Sequence, residues 1–215
     1  YLVHDINVHS LPVYNQLKVF DFVQQKKADG LIKHVGFSFH DSPELLDKVL
    51  SEHLEMEFVQ IQLNYFDYDN PAVRSRECYE VCLKYNKPII IMEPIKGGTL
   101  VNMDDKIVNM YKEYSPDKSV ASWAIRFAAS HKNVAMVLSG MSNFEQLDDN
   151  TSYMKDFVPL SDDEYTIIKK AVKILNDEKS IPCTGCSYCT GGCPQNIAIP
   201  KYFGLFNADV KQDPK

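Results

Sequence analysis

The sequence lacks any uninterrupted apolar run of about 18 residues, the length that marks a candidate transmembrane helix. Residues 1–5 also lack the basic flank and the long apolar stretch of a signal peptide. There is no long basic cluster, and 29 acidic residues outnumber 23 Lys and Arg, which argues against a nucleic acid or an anionic membrane as partner. We therefore expect a cytoplasmic protein that acts on a small molecule.

An initiator Met is missing as well. Tyr1, Leu2 and Val3 have the composition of a buried strand, whereas chain ends are normally polar and poorly ordered. We therefore expect this sequence to be the C-terminal portion of a longer protein.

Short β-branched runs alternate with amphipathic stretches along residues 1–138. The predicted strands are residues 1–3, 34–38, 58–62, 88–92 and 134–138. The apolar faces of the predicted helices are formed by Leu17, Phe20 and Val23; by Leu45, Leu46, Val49 and Leu50; by Val73, Val81 and Cys82; and by Val120, Trp123, Ala124 and Phe127. Helix starts are marked by Ser42 before Pro43, by Asn143 before Gln146, and by Ser161 before Glu164. Because each parallel strand needs a crossover of about a dozen residues or more, this alternation predicts an α/β fold with a parallel sheet.

Two parallel architectures fit this alternation, an open doubly wound sheet and a closed (β/α)8 barrel. The sequence has no G-x-G-x-x-G turn, which usually follows the first strand of an open nucleotide-binding sheet. We therefore predict a TIM-type barrel. Because a complete barrel has roughly 250 residues, the five strand-helix units of residues 1–155 predict a partial barrel that lacks about three units on its N-terminal side.

The alternation stops after residue 155, so we predict a second domain over residues 156–215. One helix is predicted over residues 161–177, with an apolar face made of Leu160, Ile167, Ile168, Val172 and Leu175. A shorter helix is predicted around residues 199–206. The segment between these two helices contains four closely spaced cysteines.

Cys183, Cys186, Cys189 and Cys193 have the C-x2-C-x2-C-x3-C-P spacing of bacterial ferredoxin-type iron–sulfur loops. Closely spaced thiolates on a tight loop suit a 4Fe–4S cubane, and the glycines at positions 185, 191 and 192 allow the backbone to turn toward it. Structural zinc usually joins two separated ligand pairs, and disulfides are rare in a reducing cytosol. The spacing therefore predicts a ferredoxin-like iron–sulfur segment. The remaining cysteines, Cys78 and Cys82, fit buried positions on one helix.

Several polar residues follow the predicted strands, where barrel enzymes place their chemistry. These residues are His4, Ser38, Gln60 or Gln62, Glu93 and the turn of residues 139–142. His4 would face the barrel mouth, where a hydrogen-bond donor can polarise a carbonyl group. The other histidines are expected to be solvated: His9, His34, His40, His53 and His131.

The loops after the last two predicted strands have the position of a barrel phosphate site. The first loop contains Lys96, and the second contains Gly140, Met141 and Ser142 before a predicted helix start, whose free N–H groups favour anions. A plain turn at residues 96–98 and a helix cap at Gln146 account for these residues equally well.

These segments resemble the aldo-keto reductases, and in particular the branch of predicted oxidoreductases with a ferredoxin-like C-terminal segment. Leu2-Val3-His4 resembles the strand that ends in the family's catalytic histidine, and residues 35–38 resemble the next strand. Residues 59–61 are similar to the strand whose glutamine holds the nicotinamide carboxamide. Residues 92–94 are similar to the strand whose aromatic residue often stacks on the nicotinamide. Residues 137–150 resemble the last strand and the helix that binds the cofactor phosphate, and residues 183–194 match the iron–sulfur branch.

The resemblance implies NAD(P)H-dependent reduction of a small carbonyl substrate, with hydride passing from the nicotinamide to the carbonyl carbon while a tyrosine donates the proton. Of the family's Asp, Tyr, Lys and His tetrad, only the histidine has a counterpart, His4. Since general acid catalysis contributes about 10²- to 10⁴-fold, we expect the chain alone to be incompetent. The candidate cofactor contacts, from strand-end position and resemblance together, are Ser38, Gln60, Met92, Glu93, Lys96, Gly140, Met141, Ser142, Gln146 and Asn150.

Three positions depart from the family pattern. Phe39 stands where the family often has asparagine, Met92 replaces the stacking aromatic residue, and Gln146 stands where NADPH-specific members often have arginine. Without that cation, a strong preference for NADPH is not expected. NADH, NADPH and a flavin are all compatible with the sequence.

The iron–sulfur segment raises a question of electron count. A nicotinamide exchanges two electrons at once, whereas an iron–sulfur centre passes them singly, so a direct connection needs an intermediate such as a flavin. The tail is therefore either a structural clamp or an electron port for a redox protein partner. The alternative function is a non-catalytic iron–sulfur electron-transfer or metal-binding module on a barrel-remnant scaffold.

Overall fold

A computed structural model describes residues 1–177, 181, 183, 185 and 187–212, without the side chains of residues 208–212. The chain forms two compact units. One consists of Tyr1–Pro94 and Ala121–Leu160, and the other of Ile95–Val120 and Ser161–Lys215. The division into domains 1–155 and 156–215 stays a prediction.

The first unit contains one open, parallel five-stranded sheet in which the strands follow one another in chain order. The strands are β1 (Leu2–Ile6), β2 (Gly36–Phe39), β3 (Phe58–Gln62), β4 (Ile89–Met92) and β5 (Val134–Val137). Each parallel neighbour is reached through at least one helix, which confirms the predicted α/β fold and is consistent with part of a (β/α)8 barrel.

The helices of the described residues alternate with the strands and continue after β5. They are α1 (Ser10–Gln16), α2 (Val19–Ala28), α3 (Pro43–Glu52), α4 (Ser75–Lys84), α5 (Asp105–Tyr114), α6 (Val120–Ala129), α7 (Phe144–Met154), α8 (Asp162–Asp177), α9 (Tyr188–Gly191) and α10 (Ile199–Gln212), with a short 3-10 helix at Lys96–Gly98. Among the described residues, none of these helices is long and apolar enough to span a bilayer.

The helix starts that the sequence predicts are confirmed. The Ser42 hydroxyl accepts a hydrogen bond from the Leu45 N–H, and Pro43 opens α3. The Asn143 side chain accepts from the Gln146 N–H at 2.9 Å. Ser161 and Glu164 form a reciprocal capping box, with N–H to side-chain oxygen distances of 2.9 and 3.2 Å.

Two helical features differ from the sequence prediction. The single helix predicted around Leu17, Phe20 and Val23 is two helices, because Lys18 adopts a left-handed conformation (φ 54°) and interrupts it. Leu17 is consequently 66% exposed, whereas Phe20 and Val23 are buried as predicted. Helix α5 was not predicted from the sequence, although it has an apolar face on which Ile107 and Tyr111 are buried.

The two faces of the sheet differ in burial at β3 and β4, whereas β2 is buried on both faces. One face is fully packed and consists of Val3, Phe37, Val59, Ile61, Ile89 and Ile91. The opposite face carries Gln60, Gln62, Ile90 and Met92, all of which are half-buried. Because side chains alternate along a strand, the polar residues of β3 lie on the less packed face, which corresponds to the interior side of a barrel.

Gly36 lies where β2 approaches β3 closely, because a Cβ built there would overlap the carbonyl oxygen and the ring of Phe58. We expect Gly36→Ala to lower the free energy of unfolding by about 1–3 kcal/mol, since neither backbone nor ring can move freely in a packed sheet. Urea unfolding followed by the fluorescence of Trp123, the only tryptophan and a fully buried one, measures this. Gly140→Ala, where a Cβ meets no atom within 4 Å, is the matched control with an expected change below about 0.5 kcal/mol. An equal effect of both variants would contradict the close approach.

The second unit is organised around contacts between α5 and α8 and between α9 and α10. The buried Glu164 forms an ion pair with Lys118 at 2.7 Å. The Asn207 side chain forms two hydrogen bonds to the backbone of Ile181, at 2.6 and 2.7 Å, and thereby ties α10 to the cysteine segment.

Candidate active site at the carboxyl ends of the strands

The backbone is irregular where β1 presents His4. The pairing register with β2 shifts between Val3 and Ile6, and Asp5 has a left-handed conformation (φ 55°). The Asp5 carbonyl accepts a hydrogen bond from the Ser10 hydroxyl at 2.6 Å, which holds this conformation. The His4 side chain is exposed at this point. Irregular strand ends and left-handed non-glycine residues concentrate at functional sites.

Ser38, Gln60 and Met92 form a row across β2, β3 and β4. Ser38 and Gln60 are aligned in the sheet, and the Gln60 amide nitrogen contacts the Met92 sulfur at 3.4 Å. The Ser38 hydroxyl oxygen accepts a hydrogen bond from the Asp5 N–H at 2.7 Å, so Ser38 joins this row to the end of β1. Ser38 is fully buried, while Gln60 and Met92 are half-buried. The structure therefore brings four of the predicted residues, counting His4, to one sheet edge.

Glu93 directly follows β4 and has a left-handed conformation (φ 53°) and an exposed side chain. Its carbonyl accepts a hydrogen bond from the amide of Asn64, a fully buried residue in the loop after β3. The same amide donates to Asp67, which also accepts from Gln62. This buried network fixes the chain beside the strand ends. Sequence reasoning missed Asn64 and Asp67, although both are polar residues shortly after a predicted strand.

His40 follows β2 directly and lies near the same edge, since its N–H donates to the Ile6 carbonyl at 3.1 Å. The pKa of its imidazole is lowered, mainly by burial. The carboxylates of Asp5 and Glu93 act in the opposite direction, and His4 adds to the lowering. At neutral pH the imidazole is mainly uncharged and can donate one hydrogen bond and accept another. The residue is exposed overall, as the sequence predicted, although its ring is partly buried beside the strand ends.

His131 corrects the expectation that the remaining histidines are solvated. Its ring lies against those of Tyr68, Tyr79 and Phe127, with centroids 4.8 to 5.1 Å apart. Burial lowers the pKa of His131, and its Nδ1 lies 2.8 Å from the Phe127 carbonyl oxygen. His53 also stacks on Phe20. Both residues are structural.

The turn after β5 is tied to α7 by side-chain hydrogen bonds. The Gln146 oxygen accepts from the Ser142 N–H at 2.7 Å, and the Asn150 amide donates to the Ser139 hydroxyl at 2.9 Å. Gln146 thus acts as a helix cap, one of the two roles expected for it. Gly140, Met141 and Ser142 are exposed. An exposed turn at the N terminus of an 11-residue helix can accommodate a negatively charged group.

Lys96 belongs to the second compact unit. It is buried, begins the 3-10 helix and has a left-handed conformation (φ 49°). Its carbonyl accepts a hydrogen bond from the Thr99 N–H at 3.0 Å. The turn expected at residues 96–98 is therefore present as a 3-10 turn.

Cys183, Cys189 and Cys193 are free thiols in the second unit, with Cys189 exposed and the other two half-buried. Cys186 lies outside the described residues. Gly185 (φ 72°) and Ser187 (φ 64°) turn the backbone of this segment through left-handed conformations. Within the part of the chain that the structure describes, no group of three or more His, Cys, Asp or Glu side chains could hold a metal ion. Cys78 and Cys82 are buried in the first unit, as predicted.

The parallel sheet and the row of polar residues at its carboxyl edge define a β/α protein with the site placement of barrel enzymes. Residues 1–173 match the family model described as the aldo/keto reductase family. The chain belongs to this family, and the expected resemblance is confirmed at that level. No curated protein is significantly similar to the chain.

Solved structures of the family have the same fold. The aldo-keto reductase AKR11C1 from Bacillus halodurans, in its holo form, is 19% identical with a TM-score of 0.61 over 79% of this chain and 57% of its own. The glycerol dehydrogenase AKR11B4 from Gluconobacter oxydans is 17% identical, with a TM-score of 0.60 over 84% of this chain and 59% of its own. An aldo-keto reductase from Klebsiella pneumoniae in complex with NADPH is 17% identical, with a TM-score of 0.52 over 69% of this chain and 51% of its own. The chain therefore spans little more than half the length of these structures.

Proposed function

We propose that this chain supplies the nicotinamide-binding part of an NAD(P)H-dependent carbonyl oxidoreductase. The observation that carries the proposal is the row of Ser38, Gln60 and Met92, joined through Asp5 to the strand that presents His4. Membership of the aldo/keto reductase family and the NADPH complex of the Klebsiella pneumoniae enzyme support it. The proton donor and its Asp and Lys partners would come from strands outside these 215 residues.

The side chains of the row fit a nicotinamide. The Gln60 amide nitrogen is paired with a thioether sulfur, a weak acceptor that a carboxamide oxygen can replace at little cost. The Ser38 oxygen accepts from the Asp5 N–H, which leaves its O–H to donate. Met92 offers a polarisable, half-buried surface against which a flat ring can pack. The bound cofactor would supply the hydride, and the exposed His4 would donate a hydrogen bond to the substrate carbonyl.

The turn of residues 139–142 and the start of α7 are proposed to hold the cofactor phosphates. Gly140 leaves open space at its Cα, so a phosphate group can approach the backbone. The α7 N terminus adds the favourable end of the helix dipole. No cationic side chain stands at Gln146, which agrees with a weak distinction between NADH and NADPH.

A titration of the chain with NADPH, followed by nucleotide fluorescence, tests this function. We expect Gln60→Ala to weaken NADPH binding by about 2- to 10-fold, because one hydrogen bond contributes about 0.5–1.5 kcal/mol and 1.4 kcal/mol corresponds to tenfold in Kd. Gln16→Ala, an exposed glutamine in α1, is the control and should bind like the parent. Equal affinities of the three proteins, or no binding by the parent, would exclude the proposed cofactor site.

A second activity is proposed for the tail, the binding of a 4Fe–4S cluster by Cys183, Cys186, Cys189 and Cys193. The spacing of these residues supports it, and the three that the structure describes are unpaired thiols. Iron and acid-labile sulfide analysis of anaerobically purified protein tests the proposal, and zinc in a colourless protein would overturn it. If NAD(P)H bleaches the visible absorbance of the cluster, a purely structural role of the tail is excluded.

A further inference from the structure

The side chain of Asn64 makes four hydrogen bonds in the interior of the first unit. Its oxygen accepts from the backbone N–H groups of Phe66 at 3.1 Å and Asp67 at 2.9 Å. Its nitrogen donates to a carboxyl oxygen of Asp67 at 3.0 Å and to the Glu93 carbonyl oxygen at 3.2 Å. Because an N–H group only donates and a carbonyl oxygen only accepts, these partners fix the orientation of the amide. The residue is fully buried, so the loss of any of these bonds leaves a buried polar group unpaired.

The two ends of this amide connect different parts of the chain. The oxygen binds N–H groups two and three residues further on and so shapes the turn after β3. The nitrogen reaches across to Glu93, directly after β4. One residue earlier, the Leu63 N–H donates to the Met92 carbonyl at 3.3 Å. Residues 63 and 64 therefore bind the consecutive carbonyls of residues 92 and 93, and the Asn64 side chain extends the pairing of β3 with β4 beyond the last aligned pair of the two strands.

The conformation of Glu93 requires a contact of this kind. Its backbone is left-handed (φ 53°), a conformation that crowds the Cβ atom of any residue other than glycine. Such conformations persist where surrounding contacts maintain them. If the bond from Asn64 is lost, Glu93 can return to an extended conformation, which rotates the peptide group that joins it to Met92. The Asn64 amide therefore keeps the end of β4 in place.

The same network reaches both strands that carry the proposed nicotinamide contacts. On β4, Met92 lies next to Glu93, and its sulfur is 3.4 Å from the Gln60 amide nitrogen. On β3, Gln62 lies two residues after Gln60, on the same face of the strand, and donates to Asp67 at 3.1 Å. A disturbance at Asn64 would therefore be transmitted to Gln60 and Met92 together.

We propose that Asn64 is a positioning residue for the nicotinamide contacts: its amide nitrogen holds the chain after β4 and thereby keeps Met92 and Gln60 in the arrangement that receives the cofactor. This role rests on the proposed function of the row formed by Ser38, Gln60 and Met92. Because Asn64 is fully buried, it acts through these neighbours. Cofactor affinity should therefore depend on a residue that lies outside the row.

Titration with NADPH, followed by nucleotide fluorescence, tests the role of Asn64. In Asn64→Ser, the hydroxyl oxygen can still accept from the N–H groups of the turn, but it is too short to reach Glu93. We expect this variant to bind NADPH about 2- to 10-fold more weakly, the range expected for Gln60→Ala, because it acts through the same contacts. Asn70→Ala is the matched control and should bind like the parent, since it removes a hydrogen bond to the Ala72 N–H within the same loop.

The double variant Gln60→Ala/Asn64→Ser separates positioning from a general loss of stability. If Asn64 acts through the row, Asn64→Ser should weaken binding less in the Gln60→Ala protein than in the parent, whereas independent effects multiply. Titrations are made at a temperature at which the fluorescence of the buried Trp123 shows each variant to be folded. Asn64→Asp keeps the accepting oxygen and loses both donors, so it replaces Asn64→Ser, with the same expected loss, if that variant does not fold.

Parent-like affinity of Asn64→Ser would overturn the role of Asn64. An equal loss in Asn70→Ala would overturn it too, because the effect would then come from the loop in general, and so would independent effects in the double variant. None of these results changes binding by the parent or its dependence on Gln60, so they are distinguishable from failure of the cofactor site. Absence of NADPH binding by the parent would exclude the cofactor site and the role of Asn64 with it.

Discussion

The isolated chain is expected to reduce aldehydes about 10²- to 10⁴-fold more slowly than the same chain supplied with the strands that carry the family's Asp, Tyr and Lys. The reason is that general acid catalysis, for which those strands supply the tyrosine, contributes a factor of this size. Among the candidate catalytic side chains, His4 can donate a hydrogen bond to a carbonyl but does not replace a tyrosine positioned as proton donor. Steady-state oxidation of NADPH with a panel of small aldehydes measures the difference. The complement would be the first three β/α units of an aldo-keto reductase, co-expressed with this chain.

Two histidine variants are compared in the protein formed by co-expressing this chain with the first three β/α units. They distinguish a loss of catalysis from a failure of the two parts to assemble. His4→Ala should lower kcat by about 10², the usual effect of removing one hydrogen-bond donor from the developing oxyanion, with NADPH affinity unchanged. His9→Ala, which changes an exposed histidine in the loop after β1, should have the parent kcat. Comparable turnover by the isolated chain, with any aldehyde, would show that the site needs no further strands and would refute the proposal.

Strands β3 and β4 were predictable because each is a short run rich in β-branched residues whose alternate residues fill a packed face. Residues 58–62 and 88–92 show this most clearly, since Val59, Ile61 and Ile91 are fully or almost fully buried and the residues between them are not. The break at Lys18 was not predictable in the same way. Its cause is one left-handed residue, and a lysine gives no sequence signal for that conformation.

The candidate site was predictable to the extent that it depends on strand ends. Ser38 lies one residue before the end of β2, and His4 and Gln60 lie two residues before the ends of β1 and β3. Parallel pairing then brings these positions side by side in the sheet. The Asn64 and Asp67 network depends instead on the path of a loop, which hydrophobic periodicity does not specify. Gln146 had two interpretations from sequence, and the hydrogen bond that its side-chain oxygen accepts from the Ser142 N–H shows that it caps the helix.

Cys189→Ser is expected to abolish the 4Fe–4S absorbance and to remove most of the iron from the protein. A serine oxygen is a poor replacement for a thiolate, and a cubane needs a ligand for each iron. Iron and sulfide analysis together with the visible spectrum measures the loss. Cys78→Ala is the matched control and should retain all of the iron. Because burial raises the pKa of Cys78 to about 12, that residue stays protonated at neutral pH, whereas the metal ligand is the thiolate.

We expect binding of the proposed cluster to change the cysteine segment, since Cys183, Cys189 and Cys193, the described cysteines of this segment, do not form a metal-holding group as they stand. Ligand side chains converge when the metal binds, so part of the binding free energy appears as folding free energy. Loading the protein with iron and sulfide should therefore slow proteolysis between residues 181 and 196, and Cys189→Ser should be cleaved at the unloaded rate under both conditions. Iron retained by Cys189→Ser, or lost from Cys78→Ala, would assign the metal to other residues.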